Sequence, residues 1–109
     1  MRNVPREVVE YIDQNGRVPF RRWLERLEDR KAVAIIDSRL TRVLMGNLEN
    51  TKSVGQGVKE LKIDFGPGYR VYFGEDTGKI VVLLIVGDKK TQLADIKLAQ
   101  DYWAEYLKE

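Results

Sequence analysis

The sequence predicts an α+β domain. An amino-terminal strand and a two-helix hairpin come first, then a three-stranded antiparallel meander that completes a four-stranded sheet, then a carboxyl-terminal helix. Three observations carry this expectation. From Gly57 to Lys90 polar and apolar residues alternate through two segments and then give way to an apolar run. From Pro19 to Met45 the apolar residues recur instead every three or four positions, and after Thr91 they do so again. At 109 residues the chain is read as one domain over 1–109, able to bury roughly two thirds of its unfolded surface without a metal or disulfide.

Arg6 to Asp13 reads as a strand closed by Gln14-Asn15-Gly16. Pro19 opens a helix at the position where a missing N–H costs nothing. Phe20, Trp23, Leu24 and Leu27 form its apolar stripe, so the Trp23 ring is expected in the core. After a break at Glu28-Asp29, a second helix runs to Leu44 or Met45 and stops at Gly46. Val33, Ile36, Leu40, Val43 and Leu44 face inward, with Arg39 and Arg42 outward. The polar stretch Asn47 to Gly57 is expected to be a mobile loop.

In the meander, Leu61, Ile63 and Phe65 alternate with Glu60, Lys62 and Asp64, and Tyr69, Val71 and Phe73 alternate with Arg70 and Tyr72. A tight Gly66-Pro67-Gly68 turn would set Phe65 against Tyr69, Ile63 against Val71 and Leu61 against Phe73. Asp64 would then lie beside Arg70, and Lys62 beside Tyr72. The turn Glu75-Asp76-Thr77-Gly78 leads into Ile80 to Val86, apolar on both faces as an interior strand is. The amino-terminal strand is its expected neighbour on the free side. Thr91 is placed to cap the last helix, whose stripe of Leu93, Ile96, Ala99, Trp103 and Leu107 is widened by Leu98, Tyr102 and Tyr106. So broad a stripe either covers the second sheet face or meets another chain.

Composition excludes more than it names. The chain has neither cysteine nor histidine, which removes thiol chemistry, the Ser-His-Asp triad and the commonest zinc ligand. No apolar leader or membrane-length run occurs, and the expected setting is the cytoplasm. Net charge is +2, and residues 1–100 carry +4 because the last nine residues are acidic. Before Asn50 every basic residue except Lys31 is arginine, the side chain that forks onto phosphate.

Gly57-Val58, Leu61-Lys62-Ile63, the run Gly66 to Phe73 (GPGYRVYF), Leu83-Leu84, Gly87 to Lys90 (GDKK) and the Asp95-Ile96 to Ala99 helix start together resemble the RelE/ParE superfamily of bacterial addiction-module toxins. Within it they are most similar to the phage-derived, HigB-like "addiction module killer" branch. The resemblance runs from Pro19 to about Tyr102. It implies a RelE-like α+β fold and an endoribonuclease that cuts messenger RNA on the ribosome with no metal or other cofactor. It also implies a cognate helix-turn-helix antitoxin from the adjacent gene.

Carried onto this chain, the resemblance makes Arg70 the stabiliser of the phosphorane-like transition state and Lys62 the general base. Lys90 becomes a proton donor or phosphate grip, and Lys89, Tyr72, Arg39 and Arg42 become RNA contacts. Glu60 stands where some relatives have a second lysine, and no tyrosine near the carboxyl end matches a catalytic one; Tyr102 and Tyr106 both stay open. Each residue also has a plainer reading. Asp64 with Arg70 makes an ordinary cross-strand pair, Lys62 is a strand lysine that guards an edge, and Tyr72 is a sheet residue. Two further functions remain open: a non-catalytic inhibitor of a protein target, as in the gyrase-directed ParE branch, and a binding module that has lost toxicity.

Overall fold

The computed structural model describes residues 6–109, and in it the chain forms three helices and a five-stranded sheet. The strands are β1 (Glu7–Glu10), β2 (Thr51–Ser53), β3 (Val58–Ile63), β4 (Tyr69–Asp76) and β5 (Ile80–Gly87); the helices are α1 (Pro19–Arg26), α2 (Arg30–Leu44) and α3 (Gln92–Lys108). Sheet order is β1-β5-β4-β3-β2. The meander β3-β4-β5 is antiparallel, and β1 joins β5 in parallel.

The additional strand is a correction to the expected four. Thr51 to Ser53, inside the stretch read as a loop, pair antiparallel with Leu61 to Lys59. Their polarity suits an edge strand with one side open to water, and that polarity disguised them as loop. A second correction concerns register. Ile63, not Phe65, pairs with Tyr69, which sets Lys62 directly against Arg70 and Glu60 against Tyr72. The reason lies in the turn. Phe65 has already left the strand, its N–H bonded back to the Ile63 carbonyl (3.0 Å), and Gly66 and Gly68 both take positive φ. The loop is therefore wider than Gly66-Pro67-Gly68 alone.

The helical hairpin forms as its sequence dictates. Asp29 caps α2 by accepting from the Ala32 N–H (3.1 Å), and Gly46 ends it at φ 93°. Phe20, Ala32, Ile36, Leu40 and Val43 pack on Leu61, Ile63, Tyr69, Val71, Phe73, Val81, Leu83 and Val86. Trp23 meets Tyr69 edge-on, with ring centroids 5.7 Å apart. The other face of the sheet carries α3. There Ala99 and Trp103 pack on Val58, Tyr72, Val82 and Leu84, and Tyr11 stacks on Tyr102 at 4.7 Å.

Trp103 reaches the strands because two glycines leave room for it. A Cβ on Gly74 would come within 2.4 Å of its ring, and one on Gly57 within 2.7 Å. The α3 start differs from expectation. Thr91 makes no cap bond; Asp88 caps a short 3-10 turn (Lys89–Thr91) by accepting from the Lys90 N–H. The Thr91 hydroxyl instead donates to Asp95. No helix among the described residues is long and apolar enough to cross a membrane.

Candidate functional site

A cleft of about 360 Å³ opens at the end of the meander, where the β3-β4 turn meets the end of β5. Strand alternation puts Lys62 and Arg70 side by side on the α3 face of the sheet, and Lys89 joins them from just past β5. The Phe65 to Gly68 turn forms the opposite wall. Gly68 sits at φ 82° against the floor, where an added Cβ would lie 3.6 Å from Arg70 Nη1 and 3.8 Å from Lys89 Cβ. Its carbonyl accepts a hydrogen bond from Nη1 at 3.0 Å, so the turn both shapes the cleft and aims the guanidinium.

Arg70 is only 6% exposed, and behind it lies Glu60 at 1%. The Glu60 carboxylate is 3.7 Å from Arg70 Nε and accepts a 2.9 Å hydrogen bond from Gln92 Nε2 on α3. At 3.7 Å the attraction to Arg70 is electrostatic and not a formed hydrogen bond, and Nε is left buried without an acceptor. Nη2 has no hydrogen bond among the described residues and is not sealed in the interior, so this edge is free for a ligand. Lys52 approaches Glu60 from the exposed edge strand at 3.9 Å. Asp95, in the first turn of α3, lies so close to Gly87 that a Cβ there would be 1.8 Å from its carboxylate. Burial raises the Asp95 pKa, and the Thr91 hydroxyl works against that rise.

The structure distributes the sequence-predicted residues unevenly. Lys62, Arg70 and Lys89 share the cleft. Lys90, exposed in the adjoining turn, does not line it. Arg39 and Arg42 lie on α2 and border a different indentation with Asn47, Glu49 and Asn50, sharing no residue with the cleft. The expected Asp64–Arg70 pair is absent: Asp64 is 3.7 Å from Lys62, and Glu60 is the carboxylate of Arg70.

Tyr72 corrects an expectation. Its ring is fully buried beneath α3 and has no face for a base to stack on. Burial, then the neighbouring Glu60 charge, pushes its phenol far above the usual range. Lys62 is 54% exposed and lies beside Asp64, with Arg70 directly across on β4. What the sequence reading did not assign is the support behind Arg70, from Glu60 and Gln92. Parity puts Glu60 on the face opposite Leu61, but its burial comes from α3 lying across that face and has no local signal.

Among the described residues no three His, Cys, Asp or Glu side chains converge as metal ligands do. What the arrangement offers is three cationic groups and one carboxylate, Asp64, around one opening, with one of the cations fixed and nearly dry, which is chemistry suited to an anionic group such as a phosphate.

Residues 22–103 match the family described as "Phage derived protein Gp49-like (DUF891)". Over 81 residues the chain is 47% identical to a protein of Haemophilus influenzae (strain Rd) described as "Uncharacterized protein", covering 74% of this chain and 82% of that relative. No solved structure matches. The matched stretch contains the whole cleft and its supporting Glu60 and Gln92; it omits β1.

Proposed function

The chain belongs to the Gp49-like family of phage-derived proteins, and on that premise we propose that it is the toxin of a two-gene toxin–antitoxin module. In this reading, which rests on the likeness to the RelE/ParE superfamily and its HigB-like branch, it is a cytoplasmic endoribonuclease that cuts messenger RNA on the ribosome without a metal. The observation that carries the proposal is the convergence of Lys62, Arg70 and Lys89 on one cleft.

The reaction asked of the site is attack of a ribose 2′-OH on the adjacent phosphate with departure of the 5′-oxygen, the 2′-OH proton passing to water and the 5′-oxygen taking up a proton from water to leave a cyclic phosphate and a free 5′-OH. Charge accumulates on the non-bridging oxygens in the transition state, and Arg70 is the group pre-placed to meet it. A fixed donor in a water-poor setting supplies on the order of 3 kcal/mol of differential stabilisation. Lys62 and Lys89, both solvated, grip flanking phosphates and hold the strand in register. Lys90 assists from the adjoining turn. Arg39 and Arg42, on a separate surface, serve as outlying phosphate contacts for a longer RNA or for ribosomal RNA.

The partner in this reading is a helix-turn-helix antitoxin encoded next door. Leu93 and Leu107 stay 86% and 58% exposed on α3, apolar area that a bound partner would cover. The test is cleavage of a translated message, mapped by primer extension on purified ribosomes. The wild-type chain cuts the message, a folded Arg70→Ala protein does not, and a folded Lys62→Ala protein cuts it more slowly. Growth arrest with intact messages would replace the nuclease with a protein-directed inhibitor, and absence of any growth effect would leave a binding module.

A further inference from the structure

Glu60 is an anomaly for a cleft that is to receive phosphate. A carboxylate 1% exposed stands directly behind the principal cation, where plain electrostatics has it weaken anion binding. It also costs desolvation, since a buried pair 3.7 Å apart without a formed hydrogen bond recovers little of what the two charges lose on leaving water. Anion binding alone does not account for its presence.

Geometry does. Arg70 has two edges. Nη1 is tied to the Gly68 carbonyl at 3.0 Å, Nε points inward without an acceptor, and Nη2 is left for the cleft. Were there no negative charge behind Nε, the guanidinium could rotate on its long side chain and swing out toward solvent, as arginines do. Glu60 pulls the Nε edge inward, and Gln92 Nε2 at 2.9 Å holds the other carboxylate oxygen, so the orientation of Glu60 depends on α3 being docked. The Tyr72 hydroxyl, buried beside this group, adds to the dry setting.

We propose that Glu60 is a positioning residue that holds the Arg70 guanidinium with its Nη edge toward the cleft, and that Gln92 locks Glu60 to α3. The proposal rests on the reading of the cleft as a phosphate site, and its two supports are separable by experiment. Inorganic phosphate binding to the whole chain is followed by NMR, reading the Arg70 Nε–H resonance, in wild type, Glu60→Gln and Gln92→Ala. The wild-type Nε–H shifts on phosphate addition and exchanges slowly with water.

Glu60→Gln removes a negative charge from beside the anion, so electrostatics alone makes phosphate bind more tightly. The positioning role predicts the opposite: binding weaker by on the order of tenfold, about what is lost when the group that orients a metal-binding side chain is removed, together with faster Nε–H exchange. Gln92→Ala, which leaves both charges in place and touches only the far carboxylate oxygen, weakens binding in the same direction by less, and it carries the test if Glu60→Gln does not fold. Equal or tighter phosphate binding in either folded variant, or Nε–H exchange no faster than in wild type, overturns the proposal. Should the wild-type chain bind phosphate yet cut no message, the nuclease reading fails while the Nε–H signature still decides the role of Glu60.

Discussion

The two faces of the sheet are built on opposite principles. Against the hairpin, every buried side chain is apolar except for the Tyr69 hydroxyl, and Phe20, Ile36 and Val43 fill the space over Leu61, Val71 and Phe73. Against α3 the cover is mixed. Tyr11, Trp103 and Val82 pack at one end, while Glu60, Arg70 and the Tyr72 hydroxyl are buried together at the other, with two of their polar atoms lacking partners. The first face stabilises, and the second gives up stability where it borders the cleft. A site that needs a dry, fixed cation cannot lie on the well-packed side, because no charge is tolerated there without a partner.

That contrast can be broken most severely by single charge deletions. Either Glu60→Leu or Arg70→Met leaves a buried charge without its main counter-charge and costs up to roughly 3–5 kcal/mol, whereas the double substitution costs less than either alone. Urea unfolding of the four proteins measures this, and a double variant as unstable as the sum of the singles removes the distinction. On the hairpin face Phe73→Ala costs about 3–5 kcal/mol by leaving a cavity, with no compensating second change.

Next in size is Gly74→Ala, which drives a methyl group into the Trp103 ring at 2.4 Å and costs about 1–3 kcal/mol by overpacking. Trp fluorescence reports it directly. Lys62→Ala, on an exposed side chain, changes stability by no more than about 0.5 kcal/mol while slowing message cleavage. A large stability loss there would mean that the cleft is not a surface feature.

The mildest test uses pH. The pKa of all five tyrosines is raised, through burial first for Tyr11, Tyr69, Tyr72 and Tyr102, and for Tyr106 first through the hydrogen bond its hydroxyl donates to Asp76. The unfolded chain loses its phenolic protons near pH 10, before the folded one does. Above that pH the folded state binds more protons, so stability falls as pH rises, and below it the tyrosines contribute no slope. Phenolate absorbance in the folded protein should therefore lag that of the urea-unfolded chain, with Tyr72 last. Coincident titrations of the two states would show that the α3 face admits water.

Much of the scaffold was legible because it follows from local rules. Pro19, Asp29 and Gly46 punctuate the hairpin by their own stereochemistry, and the apolar run from Ile80 to Val86 reads as interior wherever it is placed. Strand parity alone put Lys62 and Arg70 on one face. Three things were not legible. β2 has no apolar signature, since an edge strand needs none. The register of β3 on β4 depended on where Phe65 leaves the strand, which alternation continues through without a mark. The burial of Tyr72 and Glu60 followed from α3 lying across them, a long-range contact with no trace in either segment.

The amino-acid order by itself therefore determined the three helices and every strand except β2, and which residues of each meander strand share a face, because a period of two or of three to four residues is imposed by backbone geometry. Only the folded chain decided that Arg70 would be backed by Glu60 and not Asp64, that Lys89 would enter the cleft while Lys90 would not, and that Tyr72 would be sealed. Those outcomes turn on a two-residue difference in pairing and on where one helix docks, and pairing and docking are set by the packing of distant segments against each other.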